Sequence, residues 1–158
     1  MKKQLILLFL ISSTLIISCK KDKDDDSPSP NPVDTSTYFF CKIDGVEWVD
    51  DAFFADYNPN GNTTRVIIQN PDDLIRIDVG SQTTGSYTFT SSGPNSCEYI
   101  NGNGELFLSS SGNVTVTEYD KTRGFISGTF SGSLTNATTN ETIQITEGKF
   151  NRIPLEPF

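Results

Sequence analysis

Leu74-Ile75-Arg76-Ile77-Asp78-Val79 alternates with a period of two: Ile75, Ile77 and Val79 fall on one face, and Leu74, Arg76 and Asp78 on the other. Successive side chains of a β-strand point to opposite faces, so this stretch reads as a strand with one face in a core and the other largely in water. The same alternation recurs on both sides of it. Val114 and Val116 oppose Thr115 and Thr117, while Ile143 and Ile145 oppose Thr142, Gln144 and Thr146. Turn-forming clusters separate the strands every eight to twelve residues or so, the spacing of an antiparallel β protein.

Working outward, the pattern places strands at 38–43, 46–49, 53–57, 64–69, 74–79, 86–90, 97–101, 105–109, 113–119, 125–134 and 142–150. Asp44-Gly45 between the first two is a tight hairpin signal. Asn58-Pro59-Asn60-Gly61 and Asn70-Pro71-Asp72-Asp73 mark two further turns. Gly128 and Gly132, on either side of Phe130, mark a bulge, a bend or a close approach of two backbones. No segment carries the 3.6-residue period of a long amphipathic helix. From these segments an all-β domain of about nine or ten strands is expected, either an antiparallel β-barrel of calycin-like type or a two-sheet β-sandwich, since both suppress exposed edges. The barrel is preferred.

The N-terminus has a different character. Lys2 and Lys3 precede an apolar run from Leu5 to Ile17, interrupted only by Ser12, Ser13 and Thr14. A spanning helix needs about 20 apolar residues, so this run reads as a cleaved secretory signal. It ends in Ile16-Ile17-Ser18-Cys19, which resembles a lipobox. Cys19 is therefore the expected lipidation site, and the lipid the expected partnership with a membrane. Lys20-Lys21-Asp22-Lys23-Asp24-Asp25-Asp26 and Ser27-Pro28-Ser29-Pro30-Asn31-Pro32 follow. Dense charge and alternating proline cannot bury apolar surface, so this segment is expected to be a tether. The expected organisation is a signal peptide at 1–18, a disordered charged and proline-rich tether at 19–36, and one β domain at 37–158. The lysine-plus-aspartate cluster behind Cys19 also resembles the export signal of Bacteroidota lipoproteins, which implies the cell envelope, the outer membrane and display on its surface.

Composition narrows the function. The chain has 12 Lys and Arg against 20 Asp and Glu, a formal charge of −8, which becomes more negative once Lys2 and Lys3 are removed. Nucleic-acid binding requires a basic footprint, so no nucleic-acid partner is expected. There is no histidine. Serine and cysteine nucleophiles therefore lack their usual base. The acid pairs Asp50-Asp51 and Asp72-Asp73 fall at turns, where carboxylates are ordinarily solvated. No catalytic residues and no cofactor are expected, and the chain does not read as an enzyme.

Three features keep chemistry open. With Cys19 taken by lipid, Cys41 and Cys97 form an even pair outside the cytosol, either a disulfide or two separate buried thiols. Asp56-Tyr57-Asn58-Pro59-Asn60-Gly61-Asn62 matches the opening of a calcium loop, with Asp56, Asn58 and Asn60 as candidate ligands. Against it, the twelfth position is Ile67 where the motif needs a bidentate glutamate, and a polar hairpin tip has the same composition. Finally, Tyr38, Phe39, Phe40, Trp48, Phe53, Phe54 and Tyr57 crowd the first third of the domain. The doublets Phe39-Phe40 and Phe53-Phe54 must each send one ring outward if they lie on strands. Outward rings that cluster would mark a binding patch; most of the rest must be core.

Phe40-Cys41-Lys42-Ile43-Asp44-Gly45-Val46-Glu47-Trp48, Gly85-Ser86-Tyr87-Thr88-Phe89, Ile126-Ser127-Gly128-Thr129-Phe130 and Ile145-Thr146-Glu147-Gly148-Lys149-Phe150, in that order, resemble a family of small Bacteroidota surface lipoproteins of unknown function. The resemblance implies a secreted β domain behind a lipid anchor and supplies no catalytic residues. Its members usually carry Thr or Ala at the position of Cys41, so a Cys41–Cys97 bridge would be particular to this chain. The functional expectation is a non-catalytic binding module for a small ligand, glycan or envelope partner. The alternative is a structural or accessory surface lipoprotein with no ligand of its own.

Overall fold

The structure, a computed structural model, describes residues 35–50 and 52–158. The expected signal peptide, the lipidation site Cys19, nearly all of the tether and Asp51 of the acid pair lie outside the described residues.

Among the described residues, ten strands follow one another without an intervening helix: β1 (Tyr38–Ile43), β2 (Val46–Asp50), β3 (Phe53–Tyr57), β4 (Thr64–Gln69), β5 (Leu74–Val79), β6 (Gly85–Thr88), β7 (Ser96–Ile100), β8 (Leu106–Asp120), β9 (Phe125–Asn136) and β10 (Thr142–Pro157). β3, β4, β5, β7, β8, β9 and β10 pair in that order, and β10 returns to β3, which closes a seven-stranded barrel. All of these pairings are antiparallel except the last, where Leu155, Glu156 and Pro157 run parallel to Ala55, Asp56 and Tyr57. The barrel alternative is thus the observed one, and its sheet is mixed. An up-and-down meander with an odd number of strands begins and ends in the same direction, so its closing pair has to be parallel.

The three remaining strands share edges with barrel strands. β1 pairs with β10 along Ile145–Asn151, just before β10 reaches β3, and β2 pairs with β1. β6 pairs with the second half of β8, whose first half pairs with β7.

Two boundaries differ from the sequence reading by more than a residue or two. The segments 105–109 and 113–119 are one strand, β8, because Ser109–Ser111 is a register shift against β9 and not a turn. Likewise, β10 runs seven residues past Phe150. Pro154 is accommodated opposite Phe125 because the next amide, that of Leu155, reaches Gly124 O at 3.0 Å. Two further shifts bend β10 against β9, with Glu147 (φ 54°) and Arg152 (φ 51°) in the left-handed region at the extra positions.

Inward side chains fill the barrel. Val66 and Ile68 of β4, Ile75 and Ile77 of β5, Ile126 of β9 and Ile153 of β10 have no accessible surface. Each buried side chain of this size is worth about 1.5–3 kcal/mol relative to exposure. The outer face of β4, β5 and β7 carries ion pairs instead: Arg65 with Asp78 at 3.3 Å, Arg76 with Asp78 at 3.0 Å, and Arg76 with Glu98 at 2.6 Å.

Candidate functional site

The first third of the domain sorts its aromatic rings by strand parity. Phe39 is buried at 2% exposure and meets Trp48 edge-on, with ring centroids 5.6 Å apart. Its neighbours Tyr38 and Phe40 point the other way and are half-buried. On β3, Phe53 packs against the core, whereas Phe54 is 48% exposed. Both doublets therefore split as alternation requires.

The outward rings do gather. Tyr38 and Phe40 of β1, with Val49 and Asp50 of β2, line one hollow of about 690 Å3 against Asn70 and Pro71. Phe53 and Phe54 of β3, with Ala52 and Gln69, line a second of about 650 Å3. Asp50, Asn70 and Pro71 belong to both, so the two make one open trough astride the β4–β5 turn. Each hollow has the size of a small-molecule site. Val49, at 65% exposure, adds apolar surface to the rim.

Hydrogen bonds hold the trough in shape. Asn70 Oδ1 accepts from the amides of Asp72 and Asp73 at 2.9 and 2.6 Å, an Asx-type turn that fixes Pro71 at the ridge. Asp50 Oδ1 accepts from the Ala52 amide at 2.8 Å, and the Gln69 amide donates to Ala52 O at 3.0 Å. Behind the turn, the Asp73 carboxylate accepts from Trp48 Nε1 at 3.3 Å and from the Tyr99 hydroxyl at 3.1 Å. One carboxylate thus ties β2 and β7 to the β4–β5 turn. Burial, followed by the nearby Asp73 charge, pushes the Tyr99 hydroxyl up to about 12, which keeps it a donor. The sequence reading singled out the aromatic residues and missed Gln69, Asn70 and Pro71 as their partners. Turn chemistry was visible at 70–73, but nothing local shows which face of the barrel that turn meets.

The other candidate residues lie elsewhere. Cys41 of β1 and Cys97 of β7 are both buried in the same core and both free thiols. Burial pushes Cys41 up to about 12 and Cys97 higher still, so neither is a thiolate at neutral pH.

In the calcium-like loop, Asp56 points to the outer face of β3, 3.9 Å from Arg65, and burial raises its carboxyl pKa. The Asn58 carbonyl on its side chain accepts from the Asn60 amide at 2.9 Å. The loop's main-chain oxygens converge on an amide: Gln82 Nε2 donates to the carbonyls of Asn58 at 2.6 Å and Gly61 at 3.1 Å. Lys121 Nζ in turn donates to Gln82 Oε1 at 2.5 Å. A side-chain amide, itself held by Lys121, thus braces the main chain of this hairpin tip. Among the described residues, no three histidine, cysteine or carboxylate groups converge on a metal-sized site.

Comparison with known proteins returns one family. No curated protein and no solved structure matches the chain. Residues 35–154, which contain every strand of the barrel apart from the end of β10, match the family described as Domain of unknown function (DUF6252), and the chain belongs to that family.

Proposed function

We propose that this chain is an exported lipoprotein of the Bacteroidota type, anchored through Cys19 and displayed on the outer membrane, whose β domain is a non-catalytic binding module. The observation that carries the binding reading is the aromatic trough astride Asn70-Pro71, assembled from four strands and a turn and left open at the surface. Because inward side chains fill the barrel, the reading puts the ligand on the outside of the barrel, unlike the internal cavity of a calycin. The anchoring reading rests on the lipobox and the charged tether, and the acidic balance argues against nucleic acid as partner. Asp50, the acid in the lining, accepts from the Ala52 amide, and Asp73 behind the turn is engaged by Trp48 and Tyr99, which supports recognition over catalysis.

The filled interior also favours a second reading, an accessory surface lipoprotein without a ligand. A thermal-shift screen of residues 20–158 against glycan and lipid libraries separates the two. A ligand whose effect disappears with Phe54→Ala supports the module, and silence across both libraries supports the accessory role. Labelling with a palmitate analogue, lost on Cys19→Ala, tests the anchor, and protease accessibility on intact cells tests its display.

A further inference from the structure

Resting on the binding-module reading, we infer that the trough takes a neutral oligosaccharide, with one sugar unit or more on each side of the Asn70-Pro71 ridge. The chemistry of the lining leads to this class. Aromatic rings stand on both sides of the ridge, Tyr38 and Phe40 in one hollow and Phe53 and Phe54 in the other. Between and beside them lie Asp50, Gln69 and Asn70, which supply carboxylate and amide groups. A pyranose ring has the same division, with apolar C–H faces that stack on aromatic rings and hydroxyls around the rim that exchange hydrogen bonds with amides and carboxylates.

An acyl chain would fit the rings equally well. It would, however, strip water from Asp50, Gln69 and Asn70 without returning a hydrogen bond, which is costly for every polar group so buried. Charge then narrows the sugar. Among the described residues, the lining contains no lysine or arginine and one carboxylate, Asp50, in a chain of net charge −8. A sulfated, phosphorylated or uronic-acid chain would be repelled, whereas a neutral one would not. Two hollows sharing a ridge also require length: a single unit fills one side and leaves the other wet.

Residues 20–158, unaltered or carrying Phe54→Ala or Gln69→Ala, would be titrated by calorimetry with neutral gluco-, manno-, xylo- and N-acetylglucosamine oligomers of one to six units. Phosphatidylcholine vesicles would serve as the lipid arm. Binding to one series is expected, rising with length up to about four units, weakened about tenfold by Phe54→Ala and severalfold by Gln69→Ala. Circular dichroism of the variants should match the parent, because Phe54 and Gln69 are exposed. No binding to any series overturns the oligosaccharide, and so does binding that ignores Phe54. Phe54-dependent binding to vesicles, or to a ligand of another class, overturns the sugar while leaving the module standing. Silence in every arm overturns both.

Discussion

Gly128 of β9 and Phe150 of β10 occupy one register position, and the Phe150 ring fills the place of the missing side chain. A Cβ at 128 would stand 2.5 Å from Phe150 Cζ and 2.5 Å from the Thr115 carbonyl oxygen. Ring and main chain press from two sides, so neither can yield alone. Gly128→Ala is expected to cost about 2–3 kcal/mol as an overpacked core substitution. Urea denaturation checks this; a variant as stable as the parent would show that the Phe150 contact is soft.

Asp73 offers a second test, through the chain's one tryptophan. Asp73→Ala removes the acceptor of both Trp48 Nε1 and the Tyr99 hydroxyl. A loss of about 2–3 kcal/mol is expected, since hydrogen bonds to a charged partner are the stronger kind. Trp48 emission should move to the red as β2 loosens from the turn. Asp72→Ala, at an exposed position of the same turn, should change neither reading.

Calcium at millimolar concentration is expected to leave the thermal midpoint unchanged, because Asn58 Oδ1 already accepts from the Asn60 amide and Ile67 offers no ligand at the twelfth position, while Gln82 Nε2 braces the main-chain carbonyls of Asn58 and Gly61. Gln82→Ala should instead lower the midpoint by freeing those carbonyls and Lys121 Nζ. A calcium-dependent rise in the parent protein would establish Asp56, Asn58 and Asn60 as ligands.

The cysteines make a prediction about reactivity. Cys41 and Cys97 are buried free thiols, so a thiol reagent at pH 8 should find neither in folded residues 20–158 and both in denaturant. If denatured protein reacts only after a reductant is added, the pair is a disulfide.

Alkaline pH probes the same interior. Burial holds the Cys41 thiol and the Tyr99 hydroxyl near 12, above their ordinary values of 9.0 and 10.0. Their protonated forms are favoured in the fold, so this contribution is complete below the unfolded-state values and is lost as pH climbs toward 12. The thermal midpoint should hold to about pH 9 and then fall. Tyr99→Phe should flatten the upper part of that decline. A midpoint unchanged from pH 8 to 11 would contradict the burial of both groups.

Much of the fold could be read locally. Tyr38–Ile43, Phe53–Tyr57, Thr64–Gln69 and Leu74–Val79 stand where the period of two places them. The doublets Phe39-Phe40 and Phe53-Phe54 divide between core and surface as alternation demands. The reading failed where local chemistry permitted two outcomes. Ser109-Ser110-Ser111-Gly112 has the composition of a turn, yet pairing with β9 draws it into a continuous strand through a bulge. The last strand reads as ending at Phe150, yet its pairing continues past Pro154, where the Leu155 amide reaches Gly124 O.

By itself, then, the sequence determined the strands, the side of each strand that is buried and the outward turn of the aromatic rings, because these depend on alternation and turn chemistry within a few residues. The tertiary structure alone decided the parallel closure of β10 on β3 and the trough that joins Tyr38 and Phe40 to Phe54 across Asn70-Pro71. Both are meetings of segments far apart in the chain. They are governed by strand count and barrel packing, and no short stretch of residues encodes either.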